Sequence, residues 1–260
     1  MVHQTNTTET GIWLRHHLNR RIEVGWTLPP EAVLPGAEPD PAAVTYVCQP
    51  GVRAYLHPVR AVASAQVLTQ DRPSDHPWQH GIFTGLHAVA GLDFWTEHRT
   101  PATEHGTIVH VSVTDVALDD GGARWTATNA WNGPTGRTLL IENQDWQVHP
   151  PAEDHYLIDL IWRLRAAGDP VTIGRYDYGG LAVRLVSHPQ RRHVNSAGQA
   201  GPATSEARAA WCDVSAPFDG APAWTAADIL ASAWHGIAVL DHPDNLGYPA
   251  AWRVDGQGLN

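Results

Sequence analysis

Apolar and polar residues alternate along most of the chain with a period of two, which is the period of a β-strand. The clearest case is HYLIDLIWRLRA (155–166), in which one face is apolar and charged residues interrupt the other. The apolar face consists of Tyr156, Ile158, Leu160, Trp162 and Leu164. A second strand is predicted at TIVHVSVTDVALDD (107–120), because this segment is rich in β-branched residues and lies between two glycines.

Turn-forming residues divide the chain into many more segments of this kind. Residues 132–136 read NGPTG, and their glycines and proline predict a hairpin between the strands on either side. Helical periodicity is weak, and only TGIWLRHHLNRR (10–21) and PATSEARAAW (202–211) are candidates for short helices. Further strands are predicted at RRIEVGWTL (20–28), RAYLHPVRA (53–61), AWCDVSAPF (210–218), SAWHGIAVLDH (232–242) and AAWRV (250–254).

Many short strands without alternating helices predict an all-β protein. We expect one large antiparallel β-sandwich domain over residues 1–260, with few short helices. The chain is well over twice as long as an immunoglobulin domain of about 100 residues. A supersandwich of the galactose-mutarotase type is therefore a further expectation within this class.

Charge and composition narrow the range of functions. The formal charge of −10 and the isoelectric point of about 5.8 argue against nucleic acid or an anionic membrane as partner. No apolar run is long enough to span a bilayer, and the N-terminal residues lack the apolar segment of a signal peptide. Only two cysteines are present, Cys48 and Cys212. We therefore expect a cytoplasmic protein with two buried thiols.

Tryptophan and histidine are unusually frequent. There are 12 Trp against 3 Phe, and 16 His. The flat indole face suits sugar rings as well as cores and interfaces. Histidine supplies acid–base chemistry near neutral pH.

Three histidines, His76, His80 and His87, fall close together in DHPWQHGIFTGLHAVAGLDFW (75–95). Pro77 directly follows the first of them, which favours a loop leading into a strand over a metal-binding helix. Three interpretations stay open: a divalent metal held by His76 and His80, metal-free acid–base catalysis, or polar loop residues that make only structural contacts. A metal site would need a further ligand, for which the candidates are His87, Asp93, Glu97, His98 and His105.

Two other segments carry side chains suited to binding. Arg53, Tyr55 and His57 alternate in RAYLHPV, so on a strand they share one face and suit a polyhydroxylated or anionic ligand. His242 and Asn245 lie just after the apolar run GIAVL, a common position for functional loops.

The segment YDYGGLAVR (176–184) combines two glycines with a following strand. The glycines predict a bulge or a close approach of the backbone to another group. Arg184 on that strand needs a partner if it is buried.

Seven segments in order resemble the DUF6807 family over residues 20–255. They are YLHPV, DHPWQHGIFTGLHAVAGLDFW, NAWNGPTGRTLL, YDYGGLAVR, NSAGQAG, AAWCDVSAPFDG and IAVLDHPDNLGYPAAW. Members often carry the label methane oxygenase PmoA, which a chain without a membrane span does not support. The resemblance implies a large bacterial β-sandwich encoded near sugar dehydrogenases, and hence chemistry on oxidised, 3-keto sugars.

The chain departs from the family pattern at two places. The family commonly reads DHPHHRG where this chain reads DHPWQHG, so Trp78 and Gln79 replace two histidines. Arg253, in WRVD, stands where the family tends to have histidine.

The resemblance leads us to expect a lyase or hydratase that acts on 3-keto sugars or glycosides. A ketone at C3 acidifies the C2 proton, so a histidine can remove that proton while the C1 substituent leaves. We expect His76 or His80 as the base, with His57 and Tyr55 as partners at the leaving oxygen.

The remaining expected roles concern substrate binding. Arg53, Arg184 or a bound metal would hold the charge of the enolate. Trp78 or Trp95 would stack on the sugar. The other residues expected at the substrate are His87, Glu142, His242 and Asn245.

Two alternatives stay open. One is a mutarotase- or epimerase-like enzyme, in which a histidine and a carboxylate such as Glu142 exchange protons. The other is a non-catalytic carbohydrate-binding accessory subunit. In each case the expected partner is a small-molecule sugar or glycoside, and the sequence leaves open whether the chain forms a homo-oligomer.

Overall fold

The computed structural model describes residues 3–8, 11–26, 41–62, 66–97, 101–218, 234–256 and 258–260, with side chains from residue 7 onward. Its strands form three sheets in which every strand pairs antiparallel to its neighbours. The prediction of an all-β antiparallel sandwich is therefore confirmed. No helix among the described residues is long and apolar enough to cross a membrane.

The first sheet has eight strands, in the spatial order β1-β2-β3-β4-β5-β6-β11-β15. These are β1 (His3–Thr7), β2 (Ile12–His17), β3 (Arg21–Trp26), β4 (Val44–Val47), β5 (Tyr55–Val59), β6 (Ile82–Gly85), β11 (Gly180–Arg184) and β15 (Gly258–Leu259). β11 and β15 are remote from β6 in sequence. β11 nevertheless pairs with β6, and β15 pairs with β11 at the edge of the sheet.

The other two sheets are continuous meanders. The second sheet runs β10-β9-β8-β7, and the third runs β12-β13-β14. Their strands are β7 (Thr107–Asp119), β8 (Gly122–Asn132), β9 (Thr138–Val148), β10 (Ile158–Ala166), β12 (Arg192–Asn195), β13 (Trp211–Pro217) and β14 (Trp234–Leu240). The predicted hairpin at NGPTG joins β8 to β9, closed by the Gly133 N–H, which donates to the Arg137 carbonyl at 2.8 Å.

The apolar faces of the first two sheets pack together to form the main core. Tyr46 of β4 contacts Trp125 of β8 and Trp146 of β9, with ring centroids 5.4 and 6.1 Å apart. All three rings are buried, and each removes a large apolar area from water. In β10 every second residue is exposed, so the predicted apolar face of that strand points inward.

The third sheet contributes to the same core. Cys212 and Val214 of β13 are buried in the cluster that holds Tyr46 and Trp125. Cys48 belongs to this cluster too, and both cysteines are buried and unpaired as predicted. Burial raises the pKa of the Cys48 thiol to about 12 and that of Cys212 to about 11.

A buried polar cluster lies inside the sandwich. The carboxylate of Glu142, on β9, is fully buried and accepts hydrogen bonds from five side chains at 2.5–3.1 Å. The donors are Thr84, Asn129, Trp131, Gln144 and Trp162. A buried carboxylate is costly without such partners, so the five donors explain how it is accommodated.

The two predicted helices are wrong. Residues 12–17 form β2, because Ile12, Trp13 and Leu14 are buried in the sheet and the backbone pairs with β1 and β3. In the second segment, a 3-10 turn covers only Gly201–Thr204, and Trp211 already begins β13. Parts of three predictions, residues 10, 27–28 and 232–233, lie outside the described residues.

Candidate functional site

An open pocket of about 270 Å³ lies at the edge of the first sheet where β6, β11 and β15 meet. Its lining comes from four separate parts of the chain: the loop before β6, the loop after β6, the residues around β11, and the segment that ends in β15. The described lining residues are Asp75, His76, Trp78, Gln79, Phe83, Trp95, Thr96, Tyr178, Ala182, Val183, Arg184, Arg253, Asp255, Gly258, Leu259 and Asn260.

The loop before β6 folds into two short turns that present its polar residues. The His76 N–H donates to the Pro73 carbonyl at 3.0 Å, and the Gln79 N–H donates to the His76 carbonyl at 2.9 Å. Gly81 then lies against β5, where a Cβ atom would be 2.1 Å from the Leu56 carbonyl oxygen. Only glycine fits this approach, which explains the glycine that follows His80 in the sequence.

His76 is held in the pocket lining by a chain of polar contacts. Its Nδ1 lies 3.0 Å from Asp75 Oδ2, so the neutral imidazole can donate to this oxygen. Arg184 donates from one nitrogen to both Asp75 oxygens at 3.0 and 3.1 Å, and from another nitrogen to Gln79 Oε1 at 2.8 Å. The hydrogen bond with His76, and then the Arg184 guanidinium, lower the pKa of Asp75. Arg184 is buried and has the partners that its burial requires.

Aromatic rings form the apolar part of the lining. Phe83 of β6 packs against Trp95 with ring centroids 5.1 Å apart, and Trp95 meets Tyr178 edge to face at 5.3 Å. Trp78 packs on the same cluster and lies 5.1 Å from the His76 ring. Flat faces beside polar groups are the combination that suits a sugar ring.

A chain of ionisable side chains lies next to this aromatic layer. His80 is 1% exposed; its Nδ1 is 2.6 Å from Asp71 Oδ1, and its Nε2 is 3.5 Å from Glu97 Oε2. Arg53 Nε lies 2.8 Å from Glu97 Oε1, and the guanidinium also donates to the Trp95 and Phe94 carbonyls at 3.2 and 2.5 Å. These contacts tie the loop after β6 to β5.

Tyr55 and His57, both partly buried, complete this cluster. The Tyr55 ring stacks on His80 at 4.1 Å, and its hydroxyl donates to Asp71 Oδ2 at 3.3 Å. Burial and the nearby Asp71 carboxylate raise the pKa of Tyr55 to about 12. Burial lowers the pKa of His57, whose Nδ1 is 2.9 Å from the Thr69 hydroxyl. Burial alone would raise the pKa of Asp71, but the hydrogen bond with His80 and the charges of His80, His57 and Arg72 together lower it.

His87 and Asp93 form a further pair behind Trp95. His87 Nδ1 lies 3.0 Å from Asp93 Oδ1, and the same oxygen accepts from the Trp95 and Thr96 backbone N–H groups at 2.7 and 3.1 Å. Burial alone would raise the pKa of Asp93, but the hydrogen bonds from His87 and from Thr96 and Trp95 lower it to about 2. This pair fixes the loop that carries Trp95.

Comparison with known proteins identifies the family and nothing further. A protein-family model described as "Family of unknown function (DUF6807)" matches residues 42–260. The chain belongs to the DUF6807 family. Neither the search of curated proteins nor the search of solved structures found a match.

Four of the predicted site residues line the pocket of this DUF6807 chain: His76, Trp78, Trp95 and Arg184. Four more form the buried cluster beside it: Arg53, Tyr55, His57 and His80. Tyr55 and His57 lie on β5 and Arg53 precedes it, and none of the three belongs to the described lining of the pocket.

Other predicted residues lie elsewhere. His87 is buried behind Trp95, with the two rings nearly parallel and 6.0 Å apart. Glu142 is inside the sandwich. His242 and Asn245 lie in an exposed turn, where Asn245 donates to Asp241 Oδ1 at 2.7 Å.

The described candidate metal ligands are divided among separate contacts, such as those of His87 and His105 with Asp93. Within the part of the chain that the structure describes, no group of three or more His, Cys, Asp or Glu residues is arranged to hold a metal ion. His76 and His80 contact different carboxylates, Asp75 and Asp71. His98, one of the candidate ligands, lies outside the described residues.

The sequence did not single out two polar residues of the site, Asp71 and Tyr178. Asp71 belongs to no recognisable motif, and its role depends on the position of His80. Tyr178 stands directly before the two glycines of YDYGG, and that position was the one available signal. Arg253, the departure from the family pattern, lies with Cζ 4.4 Å from the centroid of the Tyr178 ring.

Proposed function

We propose that this DUF6807 chain is a carbohydrate-active lyase or hydratase, whose substrate is a neutral sugar or glycoside oxidised to the ketone at C3. The observation that carries the proposal is the placement of His76, held by Asp75 and Arg184, in a pocket with aromatic walls. The family resemblance supports the oxidised sugar as substrate class. The cytoplasmic location expected from the sequence belongs to the same proposal, supported by the two buried, unpaired cysteines.

The size and charge of the pocket favour a small uncharged substrate. A volume of about 270 Å³ is just below the range of about 300–1,000 Å³ typical of sites for drug-sized ligands. The Asp and Arg side chains that line the pocket form two ion pairs, Asp75 with Arg184 and Asp255 with Arg253. Because these charges balance, a neutral polyhydroxylated ligand fits better than a sugar phosphate or a uronate.

His76 suits the role of general base better than His80. His80 is 1% exposed, whereas the His76 side chain is 28% exposed and lines the pocket. A carboxylate on one ring nitrogen fixes the tautomer of an imidazole and stabilises the imidazolium that forms when the ring accepts a proton. Asp75 supplies that carboxylate, and Arg184 holds Asp75 in place.

The proposed reaction is an elimination. His76 takes the C2 proton, and the electrons of the C2–H bond pass into an enolate with the C3 ketone. The enolate then forms the C1–C2 double bond as the C1–O bond breaks, and the leaving oxygen takes up a proton. Addition of water to the same double bond is the hydratase direction.

The direct test uses methyl 3-keto-β-glucoside and the parent methyl glucoside with the purified protein, followed by proton NMR. We expect release of methanol from the keto form alone, because only that form has an acidic C2 proton. Exchange of anomers of a free sugar without loss of a substituent would support the mutarotase alternative. Saturable binding without turnover would support the accessory subunit.

His76→Gln tests the base directly. We expect turnover of the keto glucoside to fall by about 100- to 10,000-fold, the usual contribution of general acid–base catalysis. His155→Gln is the matched control, since His155 also bonds its neighbouring aspartate, Asp154, but is 62% exposed and remote from the pocket lining. Unchanged turnover in His76→Gln would remove His76 from the mechanism.

A further inference from the structure

Tyr178 is the one tyrosine among the described residues that line the pocket. The phenol expected at the leaving oxygen from the sequence was Tyr55, which donates to Asp71 and does not belong to the described lining of the pocket. An elimination needs a proton for the departing oxygen, and a phenol is a suitable donor. Tyr178 is therefore the phenol of the described lining that could supply this proton.

The Tyr178 ring is fixed by contacts on several sides. Trp95, His87 and Tyr176 each meet it edge to face, with centroids 5.3, 4.8 and 5.1 Å away. His87 is in turn held by Asp93. A ring this constrained loses little further freedom when a substrate binds, as a positioned catalytic group requires.

A cation lies over the ring. Arg253 Cζ is 4.4 Å from the centroid of Tyr178, within the range of a cation–π contact. The contact strengthens as negative charge develops on the phenol, so the guanidinium stabilises the tyrosinate formed by proton donation.

Two glycines connect Tyr178 to β11. Gly179 and Gly180 have φ values of +147° and +103°, which glycine adopts readily, and they turn the chain into β11. Tyr178 precedes this turn, and Arg184, which holds Asp75 and so His76, ends the strand. Tyr178 thus lies just before β11, the residue that holds Asp75 ends β11, and Tyr178 and His76 lie in one pocket lining.

We propose that Tyr178 is the general acid that protonates the leaving oxygen in the elimination; this inference rests on the proposed function. As the C1–O bond breaks, its electron pair goes to the leaving oxygen, which takes the Tyr178 hydroxyl proton. His76 holds the proton from C2, so the site gains one proton and loses one. Exchange with water then restores both groups.

The ionisation of Tyr178 is compatible with this role. Burial, the neighbouring Tyr176 phenol and a hydrogen bond with that phenol raise the pKa of Tyr178, while the Arg253 guanidinium opposes the rise. The phenol therefore keeps its proton at neutral pH and can donate it to an alkoxide, which is far more basic.

Tyr178→Phe tests the proposal with two substrates that differ in the leaving group. Methyl 3-keto-β-glucoside has a basic alkoxide leaving group, and the 4-nitrophenyl analogue has one that departs without protonation. We expect the variant to lose about 100- to 10,000-fold in turnover of the methyl substrate, and less than about tenfold with the nitrophenyl substrate. Tyr248→Phe is the control, because Tyr248 is 40% exposed and outside the pocket lining.

The leaving-group comparison separates an acid from a structural residue. Equal losses on both substrates, or no loss on either, would overturn the role of Tyr178. If the wild-type protein converts neither substrate, the proposed function fails and this inference fails with it. If the wild type converts the substrates and Tyr178→Phe loses turnover equally on both, the inference fails while the proposed function stands.

A second variant keeps the test decisive if Tyr178→Phe does not fold. Arg253→Gln leaves the phenol in place and removes the cation over it. We expect the turnover of Arg253→Gln to fall more with the methyl substrate than with the nitrophenyl substrate. We also expect phenolate absorbance to show a higher pKa for Tyr178. Equal effects on both substrates, with an unchanged phenolate titration, would overturn the assignment.

Discussion

At the scale of single residues, Asp93 is a carboxylate whose environment is well defined. One of its oxygens accepts from the His87 ring and from two backbone N–H groups, those of Trp95 and Thr96. These contacts hold the loop that carries Trp95 into the pocket lining. Because the donors favour the charged form, they lower the pKa of Asp93 from its ordinary 3.8 to about 2.

A lowered pKa makes the contribution of Asp93 to stability depend on pH. The contribution is complete above about pH 5 and is lost as the pH falls towards 2, because the unfolded carboxyl takes up a proton first. We expect Asp93→Asn to lower the free energy of unfolding at pH 7 by about 1–2 kcal/mol, a value reduced for solvent screening of a partly exposed group.

Urea unfolding of wild type and Asp93→Asn at a series of pH values measures this difference. The gap between the two proteins should be constant above about pH 5 and shrink between about pH 4 and 2. Asp169→Asn is the control, since Asp169 is 83% exposed and its ion pair with Arg137 is at the surface. A gap that does not change with pH would contradict the assigned pKa shift.

At the scale of elements, the site depends on the contact between β5 and β6. A single residue pair, Leu56 with Ile82, joins the two strands in register, and Gly81 lies directly before it. The Gly81 carbonyl also accepts from the Arg184 N–H at 2.7 Å, which connects β6 to β11. The backbone at Gly81 therefore holds three strands together beside the pocket.

Gly81→Ala should disturb this contact. The added Cβ would lie 2.1 Å from the Leu56 oxygen, so β5 and β6 must separate. We expect a loss of about 1–3 kcal/mol in the free energy of unfolding, the usual cost of overpacking, measured by urea denaturation. Gly168→Ala is the control, because a methyl group added there would have no atom within 4 Å and the φ of Gly168 is not in the left-handed region. Equal stability of both variants would show that the strands can separate freely.

At the scale of the whole molecule, the three sheets share buried side chains. The main core contains Val24 of the first sheet, Trp125 of the second and Val214 of the third. An apolar cluster that spans all three sheets couples their stabilities, because unfolding one sheet exposes the faces of the others.

We therefore expect one cooperative unfolding transition. Urea denaturation followed by tryptophan fluorescence and by far-UV circular dichroism should give coincident curves, as for a two-state domain. Two separated transitions would contradict the prediction of one domain over residues 1–260. The tryptophans report on the core, since Trp125, Trp131 and Trp146 are buried.

The sequence by itself determined the fold class and most of the strands. Side chains on a strand point alternately to opposite faces, so burial on one face leaves a period of two that is legible in segments such as β10. The pattern failed at residues 12–14, where three successive apolar residues are buried on both faces of a strand. A short apolar run of that kind has no period to read.

The tertiary structure alone decided which chemical groups meet. His76 and His80 are four residues apart in one loop, yet one lines the pocket and the other is enclosed by Asp71 and Glu97. Asp71, Glu97 and Tyr178 come from separate segments, so their proximity to the histidines and to the pocket depends on strand order and packing. Contacts between separate segments leave no periodic signal in the sequence. The histidine motif was therefore visible, but the sequence did not show that His76 lines the pocket while His80 is buried.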